Sequence, residues 1–224
     1  MVSNSKFILF DYDGTIVNSE TAILNGIKYA LNFHGYKLPS DKTLRSNIGK
    51  PLIPVFADLT KKTDPRIHSE LLQTYRAWYF KASEKNQIND YLYPDAFKII
   101  QKLHIDGYIL GIATNKSRSG LLEGLDRHNL IDYFTTIKTI QDTNPKPDPD
   151  MGLISISEAK VLRSNSIMIG DTISDALMSK NCEINFVGVS WGFNSKETLL
   201  DNGALCVVNS YTELYDFIKK TFPN

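Results

Sequence analysis

The 224-residue sequence predicts an α/β fold, a parallel sheet with helices on both faces and a helical insertion after the first strand. Three observations carry that expectation. Short apolar runs recur along the chain, each followed by polar or turn residues. Helical patterns separate most of them, and strand–helix alternation implies a parallel sheet covered on both sides. One stretch, 17–87, breaks the alternation with helical patterns and no convincing strand.

The candidate strands are Phe7–Phe10, Ile109–Ala113, Thr135–Lys138, Ile167–Ile169, Asn185–Val189 and Leu205–Val208. Most are too short for helices. The first, second and fourth are almost unbroken in apolar character, as strands buried on both faces should be. Helices are expected over 97–103, where Phe97, Ile100 and Leu103 share a face, and over 119–130 and 149–162. Ser210-Tyr211-Thr212-Glu213 fits a capping box ahead of a C-terminal helix. Within the insertion, 21–33, 44–59 and 67–80 have helical patterns, the second interrupted by Pro51 and Pro54.

Composition excludes several functions. Basic and acidic residues balance at 25 each, with no basic tract, so neither nucleic acid nor an anionic membrane is an expected partner. Cys182 and Cys206 lack metal-ligand spacing and fit buried thiols in a reducing compartment. The apolar run before Asp11 is too short for a signal peptide, and no run of about 18 apolar residues occurs, so the expected location is cytoplasmic.

Four segments at expected strand ends carry chemistry. Asp11-Tyr12-Asp13-Gly14-Thr15 follows the first strand, and ligands of parallel sheets bind beyond the carboxyl ends of strands. A spacing of two on extended backbone points both carboxylates the same way. A calcium loop is excluded, because its glycine slot would be Ile16 and its closing glutamate slot Ala22. Thr114-Asn115-Lys116 ends the second strand, where a hydroxyl and main-chain N–H groups can hold phosphate oxygens. Pro145-Lys146-Pro147-Asp148-Pro149 presents an ammonium on stiffened backbone, suited to a developing phosphoryl charge. Asp171 ends the fourth strand with Asp175 four residues on, and hard oxygen ligands of this kind suit Mg²⁺.

In this order the four segments resemble the four motifs of the haloacid dehalogenase-like superfamily, over nearly the whole chain. Within it, Asn115-Lys116, Tyr93-Pro94-Asp95 and Val189-Ser190-Trp191-Gly192-Phe193 are similar to the phosphoglycolate phosphatase group. The resemblance implies a modified Rossmann core with sheet order 5-4-1-2-3, expected over 1–16 and 88–224, and a mobile helical cap over 17–87. It implies Asp11 as nucleophile and Asp13 as general acid/base, with Thr114 and Lys146 holding the phosphoryl group. Mg²⁺ is expected on Asp11, the main-chain carbonyl of Asp13, and Asp171, with Asp175 supporting these ligands or replacing one. Asn115 is expected on substrate. So are Gly49 and Lys50, in a cap loop that reaches over the active site of similar phosphatases.

An aspartate in the slot of Asp13 points to phosphatases and phosphomutases, since P-type pumps carry threonine there and phosphonatases alanine. The expected partner is a small phosphorylated metabolite, 2-phosphoglycolate first, acted on by a monomer or homodimer. A sugar phosphomutase, a pyrophosphatase or nucleotidase, and a non-catalytic phosphate binder are the alternatives.

Overall fold

The computed structural model describes residues 5–85 and 87–224. The chain forms two compact units, Ser19–Tyr91 and the combination of Met1–Asn18 with Leu92–Asn224. The expected junctions at 16/17 and 87/88 thus fall a few residues from the observed divisions.

The larger unit begins with β1 (Phe7–Phe10) and β2 (Val17–Asn18). The smaller unit follows, with α1 (Glu20–Phe33), α2 (Asp41–Arg45), α3 (Leu52–Thr60) and α4 (Pro65–Glu84). After β3 (Tyr91–Leu92) come α5 (Ala96–Ile105), β4 (Ile109–Thr114), α6 (Arg118–Arg127), β5 (Thr136–Thr139) and α7 (Asp150–Ala159). The chain ends with β6 (Ser166–Gly170), α8 (Ile173–Cys182), β7 (Asn185–Val189), α9 (Lys196–Asp201), β8 (Cys206–Val208) and α10 (Tyr211–Thr221).

Six strands form one parallel sheet in the order β5-β4-β1-β6-β7-β8. The first five candidate strands take the expected order, and the sixth adds an edge beyond β7. The order reverses between β1 and β6, and a crevice opens at such a switch point beyond the strand ends. Burial follows the two-residue period of the strands. Ile8, Phe10, Leu110, Ile112, Ile167, Ile169, Val187 and Val189 meet α5, α6 and α10 on one face. Phe7, Leu9, Ala113, Met168 and Phe186 meet α7, α8 and α9 on the other.

The smaller unit is helical because its apolar residues recur at helical spacing. On α1, Ile23, Ile27, Ala30 and Leu31 are buried, and α1 packs on α4 through Leu71, Tyr75 and Tyr79. Asp64 caps α4 by accepting from the Arg66 N–H, and Pro65 fills a first-turn position where a missing N–H does no harm.

Several expectations need correction. The pattern over 44–59 is two helices, not one. Pro51 stands just before α3 and Pro54 lies in its first turn, so the prolines mark a helix start. Val17–Asn18 is a strand paired with Tyr91–Leu92, although no strand was expected from 17 to 87. Two residues carry no readable period. The helix expected to reach 162 ends at Ala159, where Lys160 turns left-handed. Ser210 caps α10 by accepting from the Glu213 N–H, but the Glu213 carboxylate takes the Asn209 N–H rather than closing the box on Ser210.

No helix of the described residues is long and apolar enough to cross a membrane. Gly111 lies in the centre of the sheet, where a Cβ would stand 2.4 Å from Thr136 Oγ1 and 2.7 Å from the Phe7 ring. Gly111→Ala should therefore lower stability by about 1–3 kcal/mol through overpacking. Urea denaturation measures this, and an unshifted midpoint would contradict so close an approach.

Candidate active site

β1, β4 and β6 run in register, with Phe10 opposite Ile112 and Ile169, so their carboxyl ends finish together. Asp11 follows β1, Thr114 ends β4 and Asp171 follows β6. All three are buried. Main-chain bonding continues one step past β1, since the Asp11 N–H donates to the Ile169 carbonyl at 2.9 Å.

Lys146 ties these ends together. Its buried ammonium donates to Asp175 Oδ1 at 2.5 Å and to the Ala113 carbonyl at 2.9 Å, and it pairs with Asp11 Oδ1 at 2.9 Å. Three acceptors meet the three protons of an ammonium group. Burial alone would lower the Lys146 pKa, but Asp11 and then Asp175 outweigh it and hold the group above its ordinary range. The Asn115 amide braces the lysine's main chain, accepting from the Lys146 N–H at 2.9 Å and donating to its carbonyl at 3.2 Å. Asn115, expected on substrate, therefore points its amide at this loop.

Asp175 closes a capping box with Thr172 at the start of α8. Its Oδ2 accepts from the Thr172 N–H, the Thr172 hydroxyl and the Asp171 N–H, while Oδ1 takes Lys146. Asp171 is oriented at both oxygens. Thr15 Oγ1 donates to Oδ1 at 2.8 Å, and the Phe193 N–H donates to Oδ2 at 2.8 Å. At Asp11, the Tyr12 N–H donates to Oδ1 at 2.7 Å. Asp11 Oδ2 has no hydrogen-bond partner among the described residues.

Carboxylate oxygens of Asp11, Asp171 and Asp175 all lie within 4.8 Å of one another. Three buried acids thus crowd one ammonium. Burial pushes the Asp11 carboxyl up to about 7 against the pull of Lys146, with repulsion from Asp175 adding to the rise. Burial, then repulsion from Asp11 and Asp175, lifts Asp171 well above the carboxylate range. A dry set of hard oxygen donors with excess negative charge fits a divalent cation.

Asp13 does not join this cluster. Its carboxylate pairs with Lys116 Nζ at 3.1 and 3.3 Å. The expected common direction of Asp11 and Asp13 assumed extended backbone, but β1 stops at Phe10 and the chain bends at Tyr12, whose carbonyl accepts from Ile16 and Val17. Thr114 Oγ1 accepts from the Lys116 N–H at 3.2 Å, so the motif after β4 is itself a tight turn. Gly49 and Lys50 belong to the smaller unit, in the loop between α2 and α3. There Gly49 has φ +87° and exposed Lys50 donates to Asn47 Oδ1 at 3.0 Å. The sequence reading assigned no role to Lys116, Thr15 or Phe193. Lys116 and Thr15 lie inside recognised motifs, and that position is the signal they carry in the sequence. The Phe193 contribution is a main-chain N–H, which side-chain chemistry does not reveal.

Neutralising Asp171 should relieve the crowding. In Asp171→Asn the amide oxygen can still accept from Phe193, while its NH₂ donates to the Thr15 hydroxyl, which turns to accept. Melting of the EDTA-treated variant should rise by roughly 2–4 °C, about 1 kcal/mol for a chain of this size. Any rise that a divalent cation gives the parent should disappear in the variant. A lower melting point in EDTA would show that the buried charge is not the destabilising element.

The family model of the haloacid dehalogenase-like hydrolases matches residues 8–189. The chain is 29% identical over 199 residues to the pyrophosphatase PpaX of Anoxybacillus flavithermus, covering 88% of each chain. It is 26% identical over 221 residues to the phosphoglycolate phosphatase of Vibrio parahaemolyticus, covering 95% of this chain and 96% of the other. The crystal structure of a predicted phosphatase from Clostridium acetobutylicum superposes with a TM-score of 0.85 at 27% identity, covering 97% of this chain and all of the other. With the acid cluster at the switch point of its sheet, the chain belongs to the haloacid dehalogenase-like hydrolases.

Proposed function

We propose that this chain is a Mg²⁺-dependent phosphomonoester hydrolase that acts through an aspartyl-phosphate on Asp11, with 2-phosphoglycolate as the leading substrate. The carrying observation is the setting of Asp11. It is buried at the switch point, with Oδ1 engaged by Lys146 and the Tyr12 N–H. Asp11 and Asp171, with the main-chain carbonyl of Asp13, would hold the cation. Bound Mg²⁺ would offset repulsion between the nucleophile and the phosphoryl dianion.

The chain's own groups do the rest. Asp11 Oδ2 attacks phosphorus in line with the leaving alcohol. The Thr114 hydroxyl holds a phosphoryl oxygen, and the Lys146 ammonium, its protons on Asp11, Asp175 and the Ala113 carbonyl, holds the phosphoryl group by its charge as negative charge develops there. Asp13 hands a proton to the departing oxygen, then takes one from the water that opens the acyl phosphate. Lys116, paired with Asp13, fixes where that carboxyl group stands. Asp175 does not need to touch the cation in this scheme, because its oxygens hold Lys146 and the start of α8.

The similarity to a pyrophosphatase favours a second reading, in which pyrophosphate is the substrate and phosphate the leaving group. Both substrates carry an anion beyond the scissile bond. We assign its recognition to the loop Ser46–Leu52 of the smaller unit. Its support is the left-handed turn at Gly49 and the exposed ammonium of Lys50.

Phosphate release from 2-phosphoglycolate and pyrophosphate, with Mg²⁺ and with EDTA, tests the main reading and ranks the two substrates. Asp11→Asn should abolish turnover on both, since an amide keeps the shape but is no nucleophile. Beryllium fluoride should inhibit the parent as a mimic of the acyl phosphate. Steady-state hydrolysis by a clean Asp11→Asn preparation would overturn the covalent route.

Lys50→Ala separates a specificity role from a surface one. KM for 2-phosphoglycolate should rise about tenfold, the size of one charge-assisted contact, with p-nitrophenyl phosphate little affected. Parallel changes on both substrates would place specificity elsewhere in the smaller unit.

A further inference from the structure

Two aromatic side chains converge on one main-chain oxygen beside the acid cluster. Trp191 Nε1 donates to the Thr15 carbonyl at 3.0 Å, and the Tyr211 hydroxyl donates to the same oxygen at 2.9 Å. A carbonyl oxygen offers two lone pairs, so this one is fully used. The Trp191 and Tyr211 ring centroids lie 5.1 Å apart, and the Tyr93 ring centroid lies 5.9 Å from that of Trp191. The Tyr93 N–H donates to the Ile16 carbonyl at 3.1 Å, so two successive carbonyls of this turn are held.

The residue so held is the one that orients Asp171. Thr15 Oγ1 donates to Asp171 Oδ1, while Phe193, two residues after Trp191, donates its N–H to Oδ2. The segment that supplies Trp191 therefore reaches both oxygens of Asp171, one directly and one through Thr15. Gly192 lets the segment come this close, since a Cβ there would lie 2.2 Å from Asp171 Cβ. Gly14 does the same from the other side at φ +84°, where a Cβ would lie 2.3 Å from Asp171 Oδ2.

A carboxylate crowded by two others rotates away from them unless donors hold both its oxygens. Asp171 is held, and each donor leaves lone pairs for a cation. We propose that Trp191 and Tyr211 are positioning residues for divalent-cation binding, acting through the Thr15 carbonyl to set the orientation of Asp171. This rests on the reading of Asp171 as a Mg²⁺ ligand. It adds a role for the Val189–Phe193 segment that the hydrolytic mechanism does not use.

The test is Mg²⁺ binding by isothermal titration calorimetry without substrate, on the parent, Trp191→Phe, Tyr211→Phe and the double variant. Tyr211→Phe keeps the ring and removes only the donor, whereas Trp191→Phe removes the donor together with one ring of the indole, so Tyr211→Phe is the cleaner reading of the two. Each single change should weaken Mg²⁺ binding by about three- to tenfold, the effect of one lost hydrogen bond. The double change should weaken it by more than either single change. Melting in EDTA, measured alongside, separates positioning from folding. An unchanged Mg²⁺ dissociation constant in the double variant, with a lowered melting point, makes the pair a fold anchor and overturns the proposal. If Trp191→Phe does not fold, an unchanged constant in Tyr211→Phe overturns it equally. A parent that binds no Mg²⁺ refutes the underlying hydrolase reading instead, which the same titration shows first.

Discussion

A buried ammonium between two buried carboxylates organises the larger unit. Lys146 lies between Asp11 and Asp175, and none of the three could be buried alone, because an unpaired charge in a protein interior is strongly destabilising. Each partner is anchored in turn. Asp175 is fixed by the capping box of α8, Asp11 by main-chain bonding to β6, and the lysine's backbone by the Asn115 amide. Breaking any one contact would leave a buried charge behind. The loop carrying Lys146, the end of β4 and the start of α8 are therefore one electrostatic unit, although far apart in sequence.

The sheet makes this arrangement possible. The strands of the switch point end in step, so residues just beyond β1 and β6 face a common crevice without strain in either strand. Strand interiors are apolar on both faces and contribute packing. The first polar residue after each strand is the first one free to do chemistry. That is why Asp11 and Asp171 stand where they do.

Legibility followed sequence distance. Most of the sheet strands could be read because they are apolar runs in a polar setting, β5 with its single Ile137 being the weakest, and the strand-end acids could be read from position. The two-residue strands Val17–Asn18 and Tyr91–Leu92 could not, because two residues have no period. Partner choice was the least legible feature. Lys116 meets Asp13 across 103 positions, and Asn115 braces Lys146 across 31. Trp191 reaches Thr15 across 176. Nothing local distinguishes an asparagine that holds a substrate from one that holds a loop. The place of Asp175 four residues after Asp171 was legible, but not that its carboxylate caps α8 and also grips Lys146.

The two lysines divide the acids into pairs of different character. Lys146 and Asp11 are fully buried and rigidly braced, whereas Lys116 and Asp13 are partly open to solvent. On the proposed reading Asp11 is a nucleophile that must be aimed, so rigidity serves it. On the same reading Asp13 gives a proton to one oxygen and takes one from another, so it must meet both leaving group and water, and partial exposure serves it. Asp175 shares Lys146 with Asp11, and Asp171 pairs with neither lysine. The three acids of the cluster face one ammonium, and with all three ionised the excess is two negative charges, which is the charge of one divalent cation. On the proposed reading, a phosphoryl dianion approaching without the cation meets a net-negative crevice. With the cation it meets a neutral one, beside the Thr114 hydroxyl and the Lys146 charge. Charge balance thus makes the cation a condition of substrate approach as well as of chemistry.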